Sequence, residues 1–302
     1  VRLDTQANNA NLMRIGNGLM IMYKKDRFTL VSSGYKQMTS SATVDGITDK
    51  DTSRWFHWVQ LKDNRTGAVF YFYNAHLSID PTNSTYTDAQ KQAMGDIHRT
   101  NQCKMIGDHV AATTDATKCP FFIVGDFNTT MDSADKYIGT NRESLYRLIN
   151  YTRNSKVYSF FRDASHIADY TRFTDYGGSL DHIFVNTRYV DVTEYHVAAE
   201  GVDGRRTSDH SPNIAYCNFK AHATVDGKDA AGETMEIFTD ASQYTFQISV
   251  GTGVTYDLYD ASRLIAENST ASAVTVDLDR QVNRFGISFR DGYGNPAPKI
   301  EV

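Results

Sequence analysis

Four short stretches, far apart in the chain, end an apolar run on polar side chains: YNAHL with Asn74 and His76, VGDFN with Asp126 and Asn128, SLDHIFV with Asp181 and His182, and TSDHSP with Asp209 and His210. Carboxylate, amide and imidazole are groups that can aim and deprotonate water and steady the negative charge that develops when it attacks. A buried carboxylate is costly unless something pairs with it, so acids at strand ends call for partners. Each stretch alone also has a plain structural reading. His76 can be a satisfied, partly buried histidine. Asp126 and Asn128 after Gly125 can close an Asx turn, and Asp181 and Asp209 can cap or turn the chain. All four in one chain, in the order H, GDxN, DH, SDH, favour a shared site over four coincidences.

Such residues need elements that end in one place, and functional groups commonly gather where strands give way to loops. Between Gly18 and Phe219 the runs LMIMYKK, AVFYFYNAHL, FFIVGDF, SLDHIFV and SPNIAYC read as strands buried in a layered fold. The segment TYTDAQKQAMGDIHRTNQCKMIGDHVAATT has apolar positions at Met94, Ile97, Ile106 and Val110 and predicts a helix with Thr87 or Asp88 as its N-cap. A second helix is expected from Ala134 or Thr140 to Asn150. Strands mixed with helices in this way indicate an α/β layered domain.

After Phe219 the texture changes. KAHATVDGKDAAGE is polar and rich in Gly and Ala, and reads as a linker. Beyond it Tyr244, Phe246, Ile248 and Val250 alternate with polar residues, as do Val274, Val276 and Leu278, then Phe285, Ile287 and Phe289. Strict alternation marks half-buried antiparallel strands. The expected division is therefore a first domain over 1–220, a linker over 221–233 and a small sandwich-like β domain over 234–302.

With 302 residues, 40% of them hydrophobic and 22% charged, the chain has the make-up of a soluble globular protein. No stretch approaches the ~20 apolar residues of a membrane span. The opening VRLDTQANNA lacks the apolar core of a signal peptide, so an export signal is expected to be absent or already removed. A formal net charge of -5 argues against broad electrostatic capture of long nucleic acid, although a local basic patch is compatible with it. Cys103, Cys119 and Cys217 show no metal-binding spacing and are expected as buried thiols. Many Asn, Thr and Tyr with few Lys suit a secreted or cell-surface bacterial protein, with the cytoplasm as the alternative.

The motifs resemble those of the endonuclease/exonuclease/phosphatase superfamily, which has the DNase I-like fold. The resemblance runs from about Gly16 to Phe219, includes GNGLMIMYKKDRF, and is most specific in GDFN together with SDH. It implies a two-sheet, four-layer α/β sandwich and metal-dependent cleavage of a phosphoester bond, with magnesium as the usual cofactor and manganese as a substitute. By resemblance, Asp126 orients and activates water, and Asn128 holds a phosphoryl or leaving oxygen through its amide. Asp181 holds His210, whose imidazolium stabilises charge on the phosphate. His76 donates to another phosphate oxygen, and Asp209 lies at the metal. Asn74 is a candidate substrate contact. So are Arg172 and Tyr176 in HIADYTRFTDYGGSLDH, with a solvated loop as the equal alternative. RWFHW, Arg54 to Trp58, is expected to pack the sheet through its aromatic rings.

One part of the family pattern is missing. Members ordinarily begin with a strand bearing Asn and a later Gln-Glu whose glutamate is the principal metal ligand. No Gln-Glu precedes Gly18, and the first glutamate in the sequence is Glu143. Two explanations stay open: the chain is the later part of a longer protein, or the domain has kept its shape without its chemistry. The expected activity is hydrolysis of a small or lipid-linked phosphate ester. A nuclease of the same superfamily is one alternative. Another is a non-catalytic binding module, with the C-terminal β domain attaching to a surface or partner.

Overall fold

The computed structural model describes residues 19–65, 67–113, 120–129, 152–153, 156–157, 161–164, 180–187, 189–198, 210–219, 223–229, 237–251, 253–280, 282–290 and 296–301. The helix expected between 134 and 150 lies outside the described residues, as do Cys119, Arg172, Tyr176 and Asp209.

The chain opens with β1 (Phe28–Gln37), then a hairpin of β2 (Ser40–Val44) and β3 (Ile47–Asp51), β4 (Trp55–Asp63) and β5 (Val69–His76). Helix α1 (Asp88–Thr113) leads to β6 (Phe121–Asp126). A short ladder of β7 (Thr152–Arg153) and β8 (Lys156–Val157) precedes β9 (Phe161–Asp163), β10 (Asp181–Asn186), β11 (Val190–Val197) and β12 (Asn213–Phe219). The principal sheet has six strands in the order β1-β4-β5-β6-β10-β9. Within it β5 and β6 pair in parallel, and α1 makes the crossover between them, as a parallel pair requires.

Alternation along the strands sends side chains to both faces of this sheet. Phe56, Tyr71, Tyr73, Ala75, Phe121, Ile123 and Phe184 form one core with Cys103, Ile106 and Val110 of α1. The opposite face, through Phe70, Phe72 and Phe122, meets Phe219 of β12, whose ring centroid is 5.1 Å from that of Phe70. Because both faces are covered, FFIV of β6 is an unbroken apolar run. Among the described residues the second sheet consists of the β11–β12 antiparallel pair, and an apolar hollow of about 920 Å³ lies between it and the principal sheet. The architecture is the expected layered α/β sandwich.

Helix α1 starts as the sequence predicts. Thr87 Oγ1 accepts from the Gln90 amide at 3.2 Å, and Gln90 Oε1 accepts from the Thr87 amide at 3.0 Å, a reciprocal capping box. Its buried stripe is mostly polar from Asp96 to Gln102, with His98 and Arg99 between, and apolar from Cys103 onward, with Ile106 and Val110.

Eight further strands follow: β13 (Ala223–Val225), β14 (Lys228–Asp229), β15 (Gln243–Val250), β16 (Thr255–Asp260), β17 (Arg263–Ser269), β18 (Ala273–Asp277), β19 (Phe285–Arg290) and β20 (Pro296–Glu301). They form two four-stranded sheets, β14-β13-β15-β18 and β17-β16-β19-β20, as the small β sandwich requires. Phe246, Ile248, Val276, Phe285, Ile287 and Phe289 fill a core of their own. One boundary differs from expectation. The segment 221–233, read as a linker, contributes the β13–β14 hairpin, and Ala223 and Val225 are buried in that core. Its Asp226-Gly227 turn, with φ of 50° and 79°, supplies the polar, glycine-containing texture that looks like a linker.

Candidate active site

The glycine in GDFN is there for clearance. Gly125 has φ of 139°, and a Cβ on it would lie 1.8 Å from the carbonyl oxygen of Ala75, its neighbour on β5. Only glycine lets β6 lie against β5 in this conformation, and that close pairing sets Asp126 beside His76 at the carboxyl ends of the two parallel strands. Binding sites in open α/β sheets form at such ends. On the other side of β6 the antiparallel register places Asp181 opposite Asp126. One row across three strands therefore reads His76, Asp126, Asp181.

Two carboxylates facing each other repel unless a cation intervenes. His210, at the entry to β12, lies between them. Its Nδ1 donates to Asp181 Oδ2 at 2.6 Å, while its Nε2 stands 3.9 Å from Asp126 Oδ2. His76 Nε2 approaches the same Asp126 oxygen at 3.4 Å. Asn213, three residues after His210, donates from Nδ2 to the Asp181 carbonyl at 2.8 Å and ties β12 to β10.

Asp126 uses its two oxygens differently. Oδ1 accepts from the Asn128 amide at 2.8 Å, closing the Asx turn that the sequence allows, and Oδ2 faces both imidazoles. Asn128 adopts φ of 48°, a left-handed conformation that Asn tolerates. Its Nδ2 donates to the Leu77 carbonyl at 2.9 Å, so one amide proton pins the loop just past His76 and the other remains for a ligand. The structural and functional readings of GDFN thus hold together.

Burial is the largest influence on the titration of the site. It pushes the Asp181 carboxyl up from its ordinary value, against the hydrogen bond and charge of His210, with Asp126 adding to the rise. It pushes His76 down, helped by the positive charges of Arg54 and His210 and opposed by Asp126. The His76 side chain, 32% exposed, is open to solvent and neutral near pH 7.

The structure brings together His76, Asp126, Asn128, Asp181 and His210. Asn74 lies on the same face of β5 as His76, and its Nδ2 donates to the Met20 carbonyl at 3.0 Å. His182 points the opposite way from Asp181, as consecutive strand residues must. It is buried at 2% exposure, donates from Nε2 to the Thr129 carbonyl at 2.9 Å and stacks on Phe184. Arg54 is a member that the sequence reading assigned to aromatic packing. It precedes β4, and its charge acts on both Asp126 and His76. The polar residues around RWFHW are the signal that could have found it: Asp51, Ser53 and Arg54 stand where a sheet edge needs no charge.

The profile of the endonuclease/exonuclease/phosphatase family matches residues 14–210, more than half of the chain and all of the site. The chain belongs to the endonuclease/exonuclease/phosphatase family. That family is generally hydrolytic, and its fold is the α/β sandwich described above. Solved structures align with this chain at low identity. The human nocturnin catalytic domain with bound sulfate is 18% identical, with 66% of this chain and 62% of that one aligned at a TM-score of 0.47. A family member from Bacteroides vulgatus is 22% identical, covering 66% of this chain and 69% of that one, also at 0.47. The mannosyl-6-phosphatase of Bacteroides thetaiotaomicron is 18% identical, covering 65% and 69%, at 0.44. The chain thus spans about two thirds of the length of these structures. No curated protein matches it.

As a member of this family the chain is expected to work with a divalent cation, and its residues can be tested for one. Ligand atoms of Asp126, Asp181 and His210 lie within 4.8 Å of one another. Because His210 Nδ1 and Asp181 Oδ2 are bonded to each other, the atoms that face the site are carboxylate oxygens and His210 Nε2. Magnesium binds through one or two carboxylates and keeps several waters, so the set fits a hard cation and offers nothing for a thiophilic one. Among the described residues no helix is long and apolar enough to cross a membrane.

Proposed function

We propose that the protein is a magnesium-dependent phosphoesterase, with manganese as a substitute ion, acting on a small or lipid-linked phosphate ester. The observation that carries this reading is the run of contacts Asp181–His210–Asp126–His76 at one end of the principal sheet's strands. In the reaction, Asp126 Oδ2 accepts a proton from water as the water oxygen attacks phosphorus and the ester oxygen departs. Asp181 stabilises the charged imidazolium of His210, which offers its Nε2 proton to a phosphoryl oxygen. Neutral His76 offers a second hydrogen bond and Asn128 a third. Each such donor contributes on the order of 100-fold or more in rate when it meets the charge that develops. A divalent ion, when bound, would be held, by family resemblance, through Asp209, and would supply Lewis-acid stabilisation of that charge.

We also propose that the chain forms two folding units, with the second beginning at β13 rather than at residue 234. The small β sandwich would then serve as an attachment module for a surface or partner. Its separate core supports this division.

Hydrolysis of a generic phosphodiester and a generic phosphomonoester, with magnesium and with chelator, tests the activity. Turnover of at least one is expected, abolished by chelator and reduced ~100-fold or more by His210→Ala. Failure of the unaltered protein to cleave either ester with magnesium would overturn the reading.

A further inference from the structure

Arg54 is a buried cation whose hydrogen-bonding capacity the protein does not use up. It stands one residue before β4, and its carbonyl accepts from the Met38 amide at 2.8 Å, which fixes the backbone. Phe56 pairs with Ala75 in the β4–β5 register, so continuing the ladder sets Arg54 level with Leu77, just past His76. Its side chain is only 11% exposed. The nearest carboxylate, Asp51, keeps its Oδ2 3.8 Å from Arg54 Nε, beyond hydrogen-bond reach.

Both oxygens of Asp51 are held by other donors. Oδ1 accepts from both the amide and the hydroxyl of Ser53 at 2.7 Å, and Oδ2 accepts from the Ser78 hydroxyl. Ser78 is itself held by Gln102 of α1, whose Nε2 donates to Ser78 Oγ at 2.6 Å and whose Oε1 accepts the Ser78 amide at 2.9 Å. This network fixes a counter-charge close enough to keep the guanidinium in place but too far away to bond it. Arg54 Nε is left buried without a hydrogen-bond partner. An unsatisfied buried donor on a charged group is costly, and such a group persists where a ligand supplies the acceptor.

We propose that Arg54 is a substrate-binding residue whose guanidinium takes non-bridging oxygens of the phosphoryl group presented to Asp126, His76 and His210. The proposal rests on the phosphoesterase reading and names its anion contact. A planar guanidinium presents paired donors that match two oxygens of one phosphate, which an ammonium cannot reproduce. Its positive charge also reaches Asp126 and His76, which stand together at the end of β5 and β6.

The test measures the Kd of inorganic phosphate in the presence of magnesium and the kinetics of ester hydrolysis, for the whole chain and for Arg54→Lys and Arg54→Ala. Arg54→Lys keeps the charge and is expected to melt like the parent while binding phosphate ~10-fold more weakly. Arg54→Ala is expected to lose ~100-fold in kcat/KM, with part of the loss restored by added guanidinium and none by the same concentration of sodium chloride. Phosphate affinity in both variants within twofold of the parent would overturn the proposal, even if hydrolysis by the parent is normal. A parent that binds phosphate through Arg54 without cleaving any ester would sink the activity and leave the contact standing. A parent that neither binds nor cleaves would overturn both.

Discussion

At the scale of single residues, the site works by withholding water from some charges and not others. Asp126 gives one oxygen to a turn and aims the other, so its chemistry is positioned by the same hydrogen bond that shapes the loop. His76 has a measurable signature. Its folded-state value lies below the ordinary one because burial and the Arg54 charge disfavour the imidazolium. The unfolded chain therefore takes up a proton first. Stability from the neutral ring is complete above the unfolded value of ~6.5 and is lost as pH falls through it toward the lower folded value. Urea midpoints at pH 7.5 and pH 5.5 should consequently fall further for the parent than for His76→Gln. An equal fall in both would mean that His76 is not a site of that proton uptake. Among the described thiols, burial pushes Cys103 up to about 12 and Cys217 up to about 11, which suits the expected inert role.

At the scale of elements, the site depends on how closely β6 can lie to β5. Replacing Gly125 by Ala puts a methyl into the Ala75 carbonyl and forces a positive φ on a residue that resists it. A loss of more than ~2 kcal/mol in unfolding free energy is expected, read from denaturant midpoints; a variant as stable as the parent would show that the strands can separate at no cost. The elements that carry the site were the most legible part of the sequence, because strand ends announced themselves as apolar runs stopping at polar residues. The alternation of the C-terminal strands and the Thr87 cap were legible for equally local reasons. What escaped was long-range. The β2–β3 hairpin, with Asp45 and Gly46 at φ of 51° and 76°, carries a hairpin signal in its Asp-Gly pair, but nothing in that pair says that Asp51 will meet Ser78. Arg54 hid inside an aromatic run for the same reason. In SLDH, the alternation of a strand would have separated His182 from Asp181 before any coordinates were known.

At the scale of the molecule, the described cores are separate. The principal sheet shares none of its core residues with the cluster of the C-terminal sandwich. Chain ending at residue 222 is accordingly expected to keep the kcat/KM of the whole protein within about threefold, because the row of His76, Asp126 and Asp181 lies on β5, β6 and β10; loss of all activity on this truncation would tie the sandwich to the site. The net charge of -5 places selectivity in local groups rather than in a general field, which suits a compact ester more than a long polyanion. The most direct measurement is a double-mutant cycle on kcat/KM with Asp181→Asn, His210→Ala and the pair together, using a phosphate ester with magnesium. If Asp181 acts through His210, as their 2.6 Å contact requires, the double variant will be no slower than His210→Ala alone. Two losses that simply multiply would contradict it.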